Sequence, residues 1–141
     1  MMKKSFKIIL SAGIILKAVF IFMPERKENP EPVAVVPAVT TAERINYFAL
    51  HGWEAEEIFS RDIIIPSEFS ESYEDFAEIQ DKQKLPLREC KGMDAVLYTY
   101  RIKNYAPDNK NLLAELIVCD GKAVSSAIYA EDDSDYIISV H

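Results

Sequence analysis

Few residues of this chain carry side chains that could do covalent or metal chemistry. Its 141 residues include two cysteines, Cys90 and Cys119, and two histidines, His51 and His141. These four residues lack the short ligand-pair spacings by which proteins hold zinc. The cysteines leave two alternatives open: a disulfide if the domain lies outside the cytoplasm, or two thiols packed in a core. The sequence predicts no metal site and no cofactor.

Motifs of catalysis are also missing from the sequence. It contains neither a G-x-S-x-G nucleophile elbow nor a glycine-rich phosphate loop, and it has four glycines in total. The acidic run Glu131, Asp132, Asp133 and Asp135 lacks the spacing and the central glycine of an EF-hand loop, which favours a solvated charged segment. We therefore expect a protein that is not an enzyme. A small hydrolase whose site is assembled from distant residues stays an alternative.

Four residues are candidates for a protein-interaction surface. Arg61 and Ile63 lie in a run rich in β-branched residues, 58–65, which a proline closes and which predicts a strand at the edge of a sheet. Arg101 and Lys103 lie on the wetter side of a later strand and form a basic spot on an acidic body. An extended segment of another protein could add to such an edge as a further strand.

Two segments have the pattern of amphipathic helices. The first begins at a capping box, Thr40 to Glu43, and ends at Gly52. The second begins after Ser67, which can act as its N-cap. Their apolar residues follow helical spacing: Ala42, Ile45, Phe48 and Ala49 in the first helix, and Phe69, Tyr73, Phe76 and Ile79 in the second. Each helix therefore has one face to bury.

Four further segments predict strands, at Ile58–Ile65, Asp94–Tyr105, Asn111–Cys119 and Lys122–Ala130. The Asp-Gly dipeptide between the last two is a hairpin signal, because both turn positions need positive φ. Such a turn sets a register in which Leu116 faces Ser125 and Ala114 faces Ala127. We expect an α+β fold of order α-β-α-β-β-β, with two helices packed on one face of a mostly antiparallel sheet of about four strands.

Several short motifs between residues 40 and 141 form a familiar set: Thr41-Ala42-Glu43-Arg44-Ile45, Gly52-Trp53-Glu54, Ile65-Pro66-Ser67-Glu68-Phe69, Tyr98-Thr99-Tyr100 and Asp120-Gly121-Lys122. In this set the chain resembles a bacterial family catalogued as domain of unknown function 4830. The resemblance implies a small exported or membrane-anchored protein of a low-GC Gram-positive bacterium. It implies no activity and adds no catalytic residue.

The first 23 residues predict a signal anchor that spans the membrane as a helix. Lysines begin the segment, and its apolar run at 5–23 is about as long as a bilayer core requires. Large residues near its end make a cleaved signal peptide the less favoured alternative, and a helix of a soluble domain is a further one. Residues 24–39 contain four prolines and predict an extended linker, which places the folded domain at 40–141.

Charge limits the partners of this chain. Six of its 16 lysines and arginines lie in the first 27 residues, so the remainder carries 22 acidic and 10 basic residues. An acidic body repels phosphate backbones, and we expect no nucleic-acid partner. Basic residues before the apolar run favour a C-terminal domain outside the cytoplasm. We expect a single-pass membrane protein whose outer domain binds another protein or acts as a sensor; a structural component of the envelope or spore layer is an alternative.

Overall fold

The computed structural model describes residues 35–131, 133–138 and 140. The predicted membrane anchor at 1–23, and the predicted linker as far as residue 34, lie outside the described residues. Among the residues that are described, no helix has both the length and the apolar character needed to cross a membrane.

The described part of the chain is an α+β domain, as predicted. In chain order its helices and strands are α1 (Thr41–Leu50), β1 (Ala55–Ile64), α2 (Glu71–Lys82), β2 (Asp94–Ile102), β3 (Leu112–Cys119), β4 (Lys122–Ala130) and β5 (Asp133–Ile138). Neighbouring strands are all antiparallel and lie in the spatial order β1-β2-β3-β4-β5. The strand β5 is an addition to the predicted order, because it begins inside the acidic run that the sequence assigns to solvent.

Both ends of α1 follow the predicted capping chemistry. The backbone N–H of Glu43 donates to Thr40 Oγ1 over 3.1 Å, and the N–H of Thr40 donates to Glu43 Oε1 over 3.2 Å. This reciprocal pair satisfies donors that the first helical turn leaves open. At the other end, Gly52 has a φ of 89°. Its N–H and that of Trp53 donate to the carbonyls of the last turn, which is the Schellman arrangement.

The inward face of α1 and the start of α2 differ from the predictions. The buried residues of α1 are Arg44, Tyr47 and Phe48, while the predicted Ala42 and Ala49 are exposed. An apolar pattern alone misses Arg44, because an arginine is buried only when partners elsewhere in the fold satisfy it. The helix α2 begins at Glu71 rather than after Ser67, and Ser70 is its N-cap.

The sheet separates two cores, so the prediction that both helices pack on one face is wrong. We define the front core as the cluster that contains α1, with members Tyr47, Phe48, Tyr100, Leu116 and Ile128. The back core contains α2, with members Ala77, Leu97, Ile117, Cys119 and Val124, against which Phe69, Tyr73 and Phe76 pack. Alternate residues of β2 and β3 supply the two clusters. Because both faces of these central strands are apolar, each face needs a cover.

The register of the β3–β4 hairpin differs from the predicted one because β4 contains a β-bulge. The turn itself is as predicted, with φ of 54° at Asp120 and 76° at Gly121. Beyond it the register shifts by one residue, so Leu116 faces Ser126 and Ala114 faces Ile128. The extra residue is Val124, which joins the back core. A bulge of this kind is set by packing on both faces, which a turn signal does not report.

The outer edge of β4 is closed by three different means. Residues 36–38 pair with its start, since Ala123 N–H donates to Val36 O over 2.9 Å. The side-chain amide of Gln80 then takes the place of a strand, because it accepts from Ser126 N–H over 2.9 Å and donates to Ser126 O over 3.0 Å. Finally, β5 pairs with the end of β4. The last residues of the predicted linker at 24–39 are thus part of the folded domain.

We expect Gly52→Ala to lower the free energy of unfolding by about 1 kcal/mol, because a residue with a Cβ resists the positive φ of the helix end. An added Cβ would meet no atom within 4 Å, so the loss is conformational rather than steric. Gly52→Asn is the matched control, and asparagine tolerates this region better. Urea unfolding of the full-length protein measures both variants. Equal losses for alanine and asparagine would contradict the conformational account.

Candidate functional site

The strand β1 forms a free edge of the described sheet. It pairs with β2 alone among the described strands. Ile65 follows β1 directly. Its N–H donates to Met93 O over 2.9 Å, and its carbonyl accepts from Gly92 N–H over 2.8 Å, so both of its backbone groups point towards β2. Along an antiparallel strand, the N–H and C=O groups of successive residues point alternately towards one neighbour and away from it. The N–H and C=O groups of Ile64, Asp62 and Ser60 therefore point away from β2, where an added strand could bind them.

The side chains along this edge are unusually open for a strand. Phe59 is 54% exposed and Ile64 is 68% exposed, and the residues between them are exposed except the half-buried Ile63. A register shift between Glu57 and Phe59 interrupts the strand, but the pairing from Phe59 to Ile64 is regular. Bulges and charges are the usual protection of an edge against further pairing. Here the bulge protects one end and leaves six regular residues accessible.

The structure separates the four residues that the sequence predicts as an interaction surface. Arg61 and Arg101 are both exposed on the back face, on either side of the Phe59–Thr99 pair. Ile63 packs against the back core and is a structural residue. Lys103 lies just beyond β2, where its Nζ is 3.6 Å from Glu56 Oε1. The accessible part of the prediction is thus Arg61 and Arg101, with Phe59 between them.

A half-buried carboxyl group lies beside this surface and was not predicted. Glu115 is opposite Thr99 on the back face, and it accepts a hydrogen bond from the Tyr129 hydroxyl over 3.2 Å. Burial raises the pKa of Glu115 above its ordinary value, although the Tyr129 hydrogen bond and the charge of Arg61 act in the opposite direction. Glutamates are too common in this sequence for one of them to stand out. Only the strand register shows that Glu115 faces the back of the sheet.

A cleft on the front face continues from the same edge. It has a volume of about 840 Å³ and lies where the C-terminal end of β1 meets the start of β2 and the β3–β4 turn. Asp62, Asp94 and Asp120 contribute its carboxyl groups, while Ile64 and Val118 contribute apolar surface. A side chain of a bound segment could enter this cleft while its backbone pairs with β1. The cleft favours apolar or basic side chains, because its charged groups are acidic.

The front side of β1 is fixed by a buried ion pair. Arg44 of α1 donates to Glu57 through Nε over 3.0 Å and through Nη2 over 3.2 Å. Its guanidinium lies 3.8 Å from the centre of the Tyr98 ring, and Tyr100 donates its hydroxyl proton to Glu57 Oε1 over 2.9 Å. Arg44 Nη1 also donates to the carbonyl oxygens of residues 38 and 39. We call this cluster the Arg44 clamp; its carboxylate is fully engaged and serves structure.

The cysteines and the described histidine do not form a catalytic group. Cys90 and Cys119 are free and buried in the back core. Burial raises the pKa of the Cys90 thiol to about 11, and the neighbouring Cys119 adds to the effect, so the reactive thiolate is scarce at neutral pH. His51 lies at the end of α1 beside the Tyr47 ring, and burial lowers its pKa. Within the described residues, no group of three potential ligands could hold a metal ion.

Comparison of the chain with family models, with curated proteins and with solved structures finds no match. The surface around β1 offers backbone hydrogen-bonding groups, a basic and aromatic patch on the back face and an acidic cleft on the front face.

We expect Glu57→Gln to lower the free energy of unfolding by about 2 kcal/mol at pH 7, because it leaves the buried guanidinium without its counter-charge. Burial alone would raise the pKa of Glu57, but the hydrogen bonds from Arg44 and Tyr100 outweigh it and hold the pKa below 4.5. A depressed carboxyl pKa contributes stability above the unfolded value, and this contribution is lost as the pH falls through the folded value. The difference between the variant and the wild type should accordingly shrink from pH 7 towards pH 3.

The matched control is Glu56→Gln, which removes the neighbouring exposed carboxylate and its surface pair with Lys103. Urea unfolding at several pH values should show a change within about 0.5 kcal/mol for this control. A Glu57→Gln effect that is equally large at pH 3 and pH 7 would refute an electrostatic origin.

Proposed function

We propose that this protein is a membrane-tethered interaction module, outside the cytoplasm, that binds an extended segment of another protein by adding it to β1 as a further strand. The observation that carries the proposal is the regular, exposed stretch Phe59–Ile64 at the edge of the described sheet. Strand addition takes its affinity from main-chain hydrogen bonds and its specificity from pockets for alternate side chains. The edge and its two flanking surfaces offer both.

The position of the tether supports this proposal. The chain joins the domain through residues 36–38, which pair with β4. Adjacent strands lie about 4.8 Å apart, so this attachment, one position beyond β4, is roughly 19 Å from β1 across the sheet. The described residues of the attachment therefore lie on the side of β4 that faces away from β1. The apolar segment at 5–23 and the proline-rich residues that follow it supply the tether and the spacer of the proposal.

The two faces of the edge favour different side chains of a bound segment. On the back face, Arg61, Arg101 and Phe59 favour acidic or aromatic side chains, through charge and ring contacts. On the front face, the cleft beside Asp62 and Asp94 favours basic or apolar side chains. Because side chains of a strand alternate between faces, a bound segment would alternate in the same way. This alternation is the recognition rule that the proposal implies.

The location is tested with a cysteine placed at an exposed site. Glu78 is exposed on α2, whereas the natural cysteines are 8% and 2% exposed. We expect a membrane-impermeant maleimide to label Glu78→Cys on intact cells as fully as after lysis, and to leave the wild type almost unlabelled. A cytoplasmic protein with an exposed cysteine serves as the control for cell integrity. Labelling that needs lysis would place the domain inside the cell and contradict the proposal.

The binding edge is tested with proline. Asp62→Pro removes a backbone donor that points away from β2, so we expect it to weaken strand addition while the domain stays folded. A photo-reactive residue at position 64, in cells of the source organism, should give one discrete adduct whose yield falls by about five-fold or more with Asp62→Pro.

Asp62→Asn keeps the backbone donor and is the matched control, and a photo-reactive residue at Glu78 tests for non-specific capture. Thermal unfolding checks that each variant is folded. An adduct of undiminished yield in the folded proline variant, or the same adduct from position 78, would exclude β1 as the binding edge.

A further inference from the structure

The two cysteines occupy the same core although 28 residues separate them in sequence. Cys90 ends the 3-10 turn Leu87–Cys90 that follows α2, and Cys119 is the last residue of β3. Both belong to the back core. The Cys119 Sγ lies 4.0 Å from Sδ of Met93, which follows Cys90 by three residues. No other pair of cysteines exists in the sequence.

Backbone hydrogen bonds hold the two cysteines in this arrangement. Met93 N–H donates to Cys90 O over 3.1 Å, which closes the turn after Cys90 onto the start of β2. The Cys119 thiol donates to Asp94 O over 3.5 Å, so the end of β3 lies against the same turn. The Cys90 thiol donates to Pro86 O at 3.6 Å. Both sulfur atoms thus contact carbonyl groups of the segment 86–94, which places the two cysteines in the same part of the back core.

We propose that Cys90 and Cys119 form an intramolecular disulfide in the mature protein, a bond that rests on the proposed location outside the cytoplasm for its oxidising surroundings. In this reaction both S–H bonds break and one S–S bond forms. The two thiols give up two protons and two electrons. A protein or small-molecule disulfide accepts them and is reduced to two thiols. No other co-reactant is needed.

The structure also indicates when this bond forms. The thiolate is the species that attacks a disulfide, and the folded domain shields both cysteines from solvent while burial raises the pKa of the Cys90 thiol. Oxidation of the folded, reduced protein is therefore slow. The bond forms while the domain folds, when the thiols are accessible, and the core then protects it from reductants. It is a structural bond that joins the turn after α2 to β3, rather than a reversible switch.

The test uses the full-length protein in detergent, unfolded and reduced in urea. One sample is refolded in a mixture of oxidised and reduced glutathione, and the other with excess dithiothreitol. Maleimide labelling after denaturation, read by mass, should find no free thiol in the first sample and two in the second. The melting temperature of the first should be higher by at least about 5 °C, because the bond restricts the unfolded chain.

The single variants Cys90→Ala and Cys119→Ala are the controls, and each should melt at the same temperature after both treatments. Two free thiols in the wild type after refolding with glutathione would overturn the proposal. So would an oxidised product that runs as a dimer, or one that melts below the reduced protein. These readings compare the wild type with itself, so they hold even if a variant folds poorly.

A second arm separates the bond from the location. Intact cells are quenched in acid, and the free thiols of the full-length protein are counted by the same labelling. No free thiol is the expected result. If refolding in glutathione forms the bond but the cellular protein keeps two thiols, the proposed location fails. If the bond does not form in vitro, the disulfide proposal fails by itself, and the Glu78→Cys labelling still decides the location.

Discussion

The Arg44 clamp is the interaction on which the rest of the domain depends. The Arg44 side chain is 7% exposed, and its guanidinium contacts α1, residues 38–39, β1 and β2 at once. A buried cation without its carboxylate is strongly unfavourable, so these four segments have to assemble together. The chain enters the domain at residues 38–39. Through Arg44, the clamp connects these residues to Glu57 on the front face of β1. It holds β1 in place although one whole side of that strand has no partner strand among the described residues.

The two edges of the sheet are closed to different extents. Along the outer edge of β4, three interactions occupy the backbone groups: a short pairing with residues 36–38, the Gln80 amide at Ser126, and pairing with β5. The Gln80 amide reproduces the donor and the acceptor of a strand because its amide group is chemically a peptide group. Along the regular stretch Phe59–Ile64 of β1, the comparable devices are the bulge before it and two charged residues, Arg61 and Asp62. Exposed edges favour aggregation, and the proposed strand addition would account for a long open edge along β1.

Local signals in the sequence predicted local structure well. Thr40 and Glu43 cap α1, Gly52 ends it and Asp120-Gly121 turns the hairpin, and each needs only its chain neighbours to act. The errors concern features that distant residues decide. The apolar stripe of α2 does not report which face of the sheet it covers. Arg44 has no sequence signature of burial, because Glu57 and Tyr98 are what make its burial favourable. The boundary of the linker was missed for the same reason, since residues 36–38 are ordered by β4.

The two bulges explain why the candidate surface could be predicted only in part. If Ile58 were paired in a regular ladder, Glu57, Phe59 and Arg61 would share one face of the sheet. With the bulge, Glu57 faces the clamp while Phe59 and Arg61 turn to the back, beside Glu115. The bulge at Val124 likewise turns Ser126 towards Tyr47, where their hydroxyl groups are 2.8 Å apart. One added residue in each strand thus decides which side chains face the front core and which face the back of the sheet, and neither position is marked by glycine or proline.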